Sequence, residues 1–165
     1  MPFQPINIRD TEHPAKLIAD DWALLSAGAP EDWNTMTVSW GGVGAMWGKD
    51  AAFVFVRPQR HTMRYIESSD YFTLSFGLPR ETTALCGKIS GRDCDKISQA
   101  GLSAHAEGAA VWPAQAKLVL VCRKLAAQTL DPACFIDPAI EGNYPDKDYH
   151  KMFVGEIQAV YRQAA

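Results

Sequence analysis

Along residues 35–40, apolar and hydroxyl side chains alternate, with Met36, Val38 and Trp40 on one side of an extended chain and Thr35, Thr37 and Ser39 on the other. A period of two predicts a strand with one face that packs and one that can hydrogen-bond. Upstream, residues 17–28 run into the turn cluster Gly28, Ala29, Pro30, Glu31 and Asp32, so two strands joined by a short loop is the economical reading. Gly41, Gly42 and Gly44 then open a flexible turn. Residues 51–56, Ala-Ala-Phe-Val-Phe-Val, are apolar throughout and predict a strand buried on both faces. Arg57, Pro58, Gln59, Arg60, His61 and Thr62 follow, and Met63, Tyr65 and Ile66 recur at helical spacing up to Ser68. The unit reads as strand, basic loop, short helix. Residues 71–76 alternate again as a strand, ended by Gly77 and Pro79, and residues 80–85 are polar and helix-prone.

From 86 to 101 the chain is small, polar and charged, with a turn at Ser90, Gly91, Arg92 and Asp93 and one or two helical turns within 93–99. Residues 116–125 and 152–161 read as long strands. Between them lies an excursion, 131–148, punctuated by Pro132, Pro138 and Pro145. Six or seven strands suffice to close a small barrel with short helices packed outside it. No repeat or linker divides residues 1–165, so one domain, mainly β with some α, is expected.

Composition narrows the classes. Of 165 residues, 47% are hydrophobic and 21% charged, enough for a real core, since a domain of roughly 150 residues buries about 68–70% of its unfolded surface. Sixteen Lys and Arg against 19 Asp and Glu give a net charge of −3, and no basic stripe is present to hold a nucleic acid. Any anion bound is small. Cys86, Cys94, Cys122 and Cys134 form no C-x-x-C pair, and the start Met-Pro-Phe-Gln-Pro has neither a basic nor an apolar leader segment, so reduced thiols and a cytoplasmic location are expected. The longest apolar runs are strand-sized, which excludes a membrane-spanning helix.

The 57–62 segment places two guanidinium groups, a hydroxyl and an expected helix N-terminus at the end of a buried strand. Arg forks, a Thr hydroxyl and free N–H groups complement a phosphate monoester, which carries about −1.5 to −2 charges. Arg57 and Arg60 are equally readable as solvated loop charges. Residues 34–42 combine hydroxyls, aromatic surface and glycine-freed backbone, which suits a flat conjugated ring, or else form a half-exposed strand with Thr and Ser in water. Ser90, the backbone near Gly91 and the neighbouring cations can meet an anion or make a charge-compensated surface turn. No Walker motif is present, and Cys86 and Cys94 lack the partners of a zinc site, so no metal is expected. His150 stands just before the last strand, where it can face a pocket mouth or simply be a hydrogen-bonded surface residue. A hydrolase built from Ser39, His150 and Asp148 lacks the G-x-S-x-G elbow.

Five ordered blocks, WNTMTVSWGG (33–42), FVFVRPQRHT (53–62), DYFTLSF (70–76), CGKISGRD (86–93) and YHKMFVGEI (149–157), resemble the flavin reductase-like proteins of the FMN-binding split-barrel fold, in the flavoredoxin branch. The resemblance implies a Greek-key split β-barrel with short peripheral helices. It also implies a homodimer that binds one FMN per barrel near the subunit interface. Carried over, Arg57, Gln59, Arg60 and Thr62 make the phosphate loop. Met36, Thr37, Val38, Ser39 and Trp40 line the isoalloxazine, and Ser90, Gly91 and Lys96 serve the ribityl or phosphate end. His150 takes a catalytic place where a nicotinamide stacks on the flavin.

What the resemblance implies chemically is hydride transfer from C4 of NADH or NADPH, a transient co-substrate, to flavin N5, with electrons passed on to an acceptor such as a redox partner protein. The protein must hold two rings face to face and stabilise charge developing around N1 and O2, which backbone N–H groups can do. The family binds its dinucleotide in a groove, so the missing G-x-G-x-x-G fingerprint is no objection. A flavin-binding electron carrier or sensor without NAD(P)H activity, and a non-catalytic dimeric barrel, stay open beside the reductase.

Overall fold

The computed structural model describes residues 3–6 and 14–164; Met1 and Pro2, where the reading of the chain's start begins, lie outside the described residues. Two short elements come first, β1 (Phe3–Pro5) and α1 (Pro14–Ala19). A hairpin of β2 (Ala23–Ala29) and β3 (Asp32–Val38) follows, then a second of β4 (Gly41–Met46) and β5 (Lys49–Val56). Helix α2 (Thr62–Ser68), strand β6 (Tyr71–Phe76) and helices α3 (Arg80–Lys88) and α4 (Lys96–Gln99) make the middle. The small hairpin β7 (Ala104–Glu107) and β8 (Ala110–Pro113) precedes two long strands, β9 (Leu118–Thr129) and β10 (Lys151–Gln163). Between those two, the proline-rich excursion makes two 3₁₀ turns, Pro132–Cys134 and Pro138–Asn143.

Antiparallel pairing orders the main sheet β3-β2-β6-β9-β10-β5-β4, with β1 added to the far end of β10. β10 pairs β9 along its length and β5 along its first half, with register shifts at Val154/Gly155 and Ile157/Ala159. Such bulges bend a strand and curl the sheet. At the first of them only glycine fits, because a Cβ on Gly155 would lie 2.6 Å from the Phe72 ring and 2.8 Å from Cys122 Cβ. The curl closes on a core of Leu25, Met36, Val38, Val54, Val56, Ile66, Phe72, Leu74, Leu120 and Phe153. Each large apolar side chain taken fully out of water stabilises the fold by about 1.5–3 kcal/mol. Outside the curl, Val119 and Val121 pack under Ala110 and Trp112 of β8, so β9 is covered on both faces. A third cluster, Leu24, Cys86 and Leu102, lies beneath α3 and α4.

The chain is therefore mainly β, a split barrel with short helices around it, as expected. Several local expectations change. Residues 17–28 are not one strand: Leu17 and Ile18 end α1, and β2 starts only after Trp22, whose φ of 62° breaks the extended path. Trp22 is held there by the Arg80 guanidinium, 3.3 Å from its ring centroid. The glycines at 41, 42 and 44 are not a loose turn but strand β4; the turn is Trp47-Gly48, with φ of 53° and 72°, the left-handed pair a two-residue hairpin requires. β5 is buried on one face and only partly on the other, where Ala51 is buried. Ala52, Val54 and Val56 face the core, whereas Phe53 and Phe55 are half-buried. The hydroxyl face of β3 is bonded within the protein at Thr35 and Thr37, of which Thr35 is fully buried. Ser26 donates to Thr35 Oγ1 at 2.9 Å, Thr35 donates to the Leu25 carbonyl at 3.0 Å, and Thr37 donates to the Thr83 carbonyl of α3. Among the described residues ten strands replace the expected six or seven, and no helix is long and apolar enough to cross a membrane. All four cysteines are free thiols.

Candidate functional site

β3 ends one edge of the sheet and comes within contact distance of β5 with no ladder between them. Along this seam two cavities adjoin, sharing Met36, Arg57 and Arg60 as walls. The larger, about 460 Å³, is lined mostly by charged and polar groups from the β5–α2 loop, the α3–α4 loop and Asp148 at the end of the excursion. The smaller, about 220 Å³, is a slot between residues 36–40, Phe55 and His150.

In the larger cavity Lys96 is only 3% exposed, although it carries an ammonium group. Its Nζ lies 3.5 Å from the Cys86 carbonyl and 3.4 Å from the Ile89 carbonyl, both longer than an ordinary N–H···O bond, and no carboxylate pairs with it among the described residues. Burial lowers its pKa below the usual lysine value. The residue is set in place by its neighbour Asp95, which caps α4 by accepting from the Ser98 N–H. Arg60 spends one N–H on the Gly87 carbonyl at 3.0 Å, leaving the rest of its fork. The Arg92 guanidinium makes a long 3.4 Å contact to the Gln59 carbonyl. Thr62, 1% exposed, accepts from Asn34 Nδ2 at 2.8 Å, and Ser90 Oγ accepts from the Arg92 N–H at 3.2 Å. His61 has its pKa lowered by burial and by the cations Arg64, Arg92 and Lys96. With Arg57, Arg60, Arg92 and Lys96 set against Asp93 and Asp148, the walls carry an excess of positive charge and can hold a small anion.

Gly91 stands one layer behind this surface. A Cβ there would lie 2.7 Å from Asn34 Oδ1 and 3.2 Å from His61 Cδ2, so the glycine lets the α3–α4 loop close onto Asn34. Arg57 and Gln59 are also committed elsewhere. Both donate to Asp148 Oδ2 at 2.5 Å, and Arg57 donates to the Asn143 carbonyl at 2.9 Å while its guanidinium sits 5.1 Å from the Tyr144 ring centroid. These bonds, first Gln59's and then Arg57's, hold the Asp148 carboxyl below its ordinary range. Asp148 Oδ1 is buried with no hydrogen-bond partner among the described residues. The pair ties the proline-rich excursion to the barrel mouth.

In the slot, Met36, Val38 and Phe55 supply apolar walls and Trp40, 47% exposed, stands at the rim. Ser39 and Trp40 lie just past the end of β3, where the chain turns toward β4. The Trp40 ring is 5.0 Å from that of His150, tilted by 44°. His150 is 8% exposed, and its Nδ1 is 2.9 Å from the Tyr144 hydroxyl. Burial, helped by Arg57 and opposed by Asp148, pushes its pKa down to about 4, so it is neutral at pH 7.

Thus Arg57, Gln59, Arg60, Thr62, Ser90 and Lys96 meet in one cavity and Met36, Thr37, Val38, Ser39, Trp40 and His150 in the other, with Gly91 behind. Sequence reasoning did not single out Asn34, His61, Arg92 or Tyr144. Arg92 was legible in principle, because it stands two residues from Ser90 in the same polar turn; Tyr144 was not, because only the fold of the excursion brings it to His150.

A family model for the flavin reductase like domain matches residues 16–165. Among curated proteins no sequence matches this chain. Solved structures share the fold at low identity. An FMN-binding protein from Thermus thermophilus is 18% identical over 98% of this chain and 79% of its own, with a TM-score of 0.69. Flavoredoxin from Methanosarcina acetivorans is 23% identical over 96% and 74%, with a TM-score of 0.67. The NADH:FAD oxidoreductase of Streptomyces globisporus C-1027 is 13% identical over 87% and 74%, with a TM-score of 0.63. With nearly the whole sequence spanned by one model and the barrel seam built as described, this chain belongs to the flavin reductase like domain family.

Proposed function

We propose that the seam holds FMN, phosphate in the larger cavity and ring system in the slot, and that the protein uses it to oxidise NADH or NADPH. One observation carries the reading: a buried ammonium without a carboxylate partner, Lys96, stands at one end of a continuous groove whose other end is an apolar-walled slot. The residues present fit the cofactor. Lys96, Arg60 and Arg92 supply charge to the phosphate, and the Ser90 and Thr62 hydroxyls lie beside them. Met36, Val38 and Phe55 cover ring faces, and His150 and Trp40 stand where a second ring enters. When bound, FMN supplies the hydride-accepting chemistry. The chain's own part is to place the rings, to exclude water, and to offer His150 as a neutral hydrogen-bonding group. Two structural neighbours support the reading by their descriptions, one as FMN-binding and one as an NADH:FAD oxidoreductase crystallised with NAD and FAD fragments. The exposed Trp40 and Trp47 favour pairing of two copies into a homodimer.

The test is a fluorescence titration with FMN, riboflavin and FAD, followed by anaerobic addition of NADH and NADPH. FMN should bind at least about tenfold tighter than riboflavin, since one charge-assisted bond to phosphate contributes roughly 1.5–3 kcal/mol. Bleaching of the yellow protein by a reduced nicotinamide supports the reductase. Equal affinity for riboflavin and FMN overturns the phosphate assignment, and persistent colour overturns the reductase.

A further inference from the structure

Tyr144 is 3% exposed, and its hydroxyl has one partner among the described residues, His150 Nδ1 at 2.9 Å. Two arrangements of the shared proton are available. If the imidazole donated from Nδ1, the phenol proton would be left buried without an acceptor. If the phenol donates, Nδ1 is satisfied and the imidazole proton sits on Nε2, on a ring that lines the slot. A buried donor left unpaired carries its full desolvation cost, so the second arrangement wins. Tyr144 is rigidly held for this task. The Phe135 and Tyr149 rings pack on it at 6.1 and 5.0 Å, and Arg57 covers it, fixed in turn by Asp148. His150 is anchored through its carbonyl, which accepts from the Leu130 N–H at 2.9 Å.

We propose that Tyr144 is a positioning residue that locks His150 in the Nε2–H tautomer, so that the slot mouth presents a neutral N–H donor to an acceptor oxygen on the incoming substrate. The nicotinamide carboxamide oxygen has that chemistry. The substrate half of this statement rests on the reductase reading; the tautomer half does not. The charged and titratable groups that face His150 are Arg57 from the end of β5, Arg60 from the β5–α2 loop, and Asp148 and Tyr144 from the excursion. Burial and the two guanidinium groups favour the uncharged ring against the opposing pull of Asp148, which keeps the lock in place across neutral pH.

Long-range ¹⁵N–¹H correlation spectra of the flavin-free protein test the lock without reference to activity, with His150→Gln identifying the ring signals. Wild type should show the Nε2–H pattern alone at pH 6 to 8, and Tyr144→Phe should show both tautomers. In flavin-loaded protein, Tyr144→Phe should raise KM for the reduced nicotinamide by about tenfold and alter kcat little. An Nδ1–H pattern in wild type, which needs no variant to fold, overturns the proposal, as does a single unchanged tautomer in Tyr144→Phe. If the tautomers behave as expected but KM does not move, the substrate contact is overturned. A protein that keeps the lock but takes up no flavin refutes the functional reading instead.

Discussion

Lys96→Met separates ligand binding from stability at the most unusual charge in the fold. Methionine keeps most of the lysine stem's apolar volume and removes only the ammonium. What the ammonium loses in the flavin-free protein is slight, because its carbonyl contacts at 3.4 and 3.5 Å exceed the 2.7–3.2 Å of a normal bond. What it relieves is the desolvation of a charge at 3% exposure. The flavin-free variant should therefore melt at or above the wild-type temperature. With FMN bound the balance reverses. Loss of a charge-assisted bond worth about 1.5–3 kcal/mol weakens Kd by roughly 10- to 150-fold, while riboflavin affinity stays the same.

The sign of the pH dependence gives a second readout. Burial sets the folded-state pKa of Lys96 below the ordinary lysine value of 10.5. Between the two values the unfolded chain holds a proton that the folded chain lacks, so stability rises with pH through that window. Below the folded value both states are protonated, and the cost of the buried charge is present in full. Denaturant unfolding without flavin should show wild type gaining on Lys96→Met as pH climbs toward 10.5. A variant that melts several degrees lower while binding FMN as wild type does would make Lys96 a structural tie, and the reasoning would fail.

Two further outcomes are expected. Gly91→Ala drives a methyl to 2.7 Å from Asn34 Oδ1, and displacing that side chain breaks its bond to Thr62, so both stability, by about 1–3 kcal/mol, and FMN affinity should fall; Gly42→Ala, with nothing within 4 Å, is the control, and urea midpoints with flavin titrations read both. His150 has its folded pKa depressed to about 4, so its contribution to stability is present above the unfolded value near 6.5 and is lost as pH falls toward 4. The loss, on the order of a few kcal/mol at most, should be missing from His150→Gln in acid unfolding curves.

Where a strand carries side chains of alternating kind, its position was readable. β3 and β6 fall where alternation placed them, and β9 and β10 cover the long runs read as strands, to within the ends. β4 was hidden because Gly41, Gly42 and Gly44 supply no side chains from which a period can be read, and the left-handed Trp47-Gly48 turn lies outside the glycine cluster. α1 was hidden because Leu17 and Ile18 continue the apolar run of β2, and the break at Trp22 depends on Arg80, distant in sequence. The site divides the same way. Arg60, Thr62 and Ser90 were legible as polar groups clustered at loop starts. That Arg57 is tied on the cavity wall to Asp148, 91 residues on, was not, because a long-range partner leaves no mark in local spacing.

The position of the site follows from an unmade ladder. Had β3 paired with the end of β5 beyond Val54, the last residue that β4 pairs, their backbones would stand about 5 Å apart and no slot would remain between Met36, Val38 and Phe55. An open edge strand is ordinarily a liability, since its free N–H and C=O groups invite pairing with another chain. Here α3 covers one face of β3 through the Thr37–Thr83 bond, and the loop carrying Gly91 presses on Asn34. The edge is thereby protected without being closed. The same two segments carry Arg60's carbonyl partner, Gly87, and lead into Lys96, so the groups that guard the seam also charge one end of it. A chain of net charge −3 attracts no anion at long range; what it offers is a cation already stripped of water, whose pull on a phosphate is strengthened by its low-dielectric surroundings and little screened by salt.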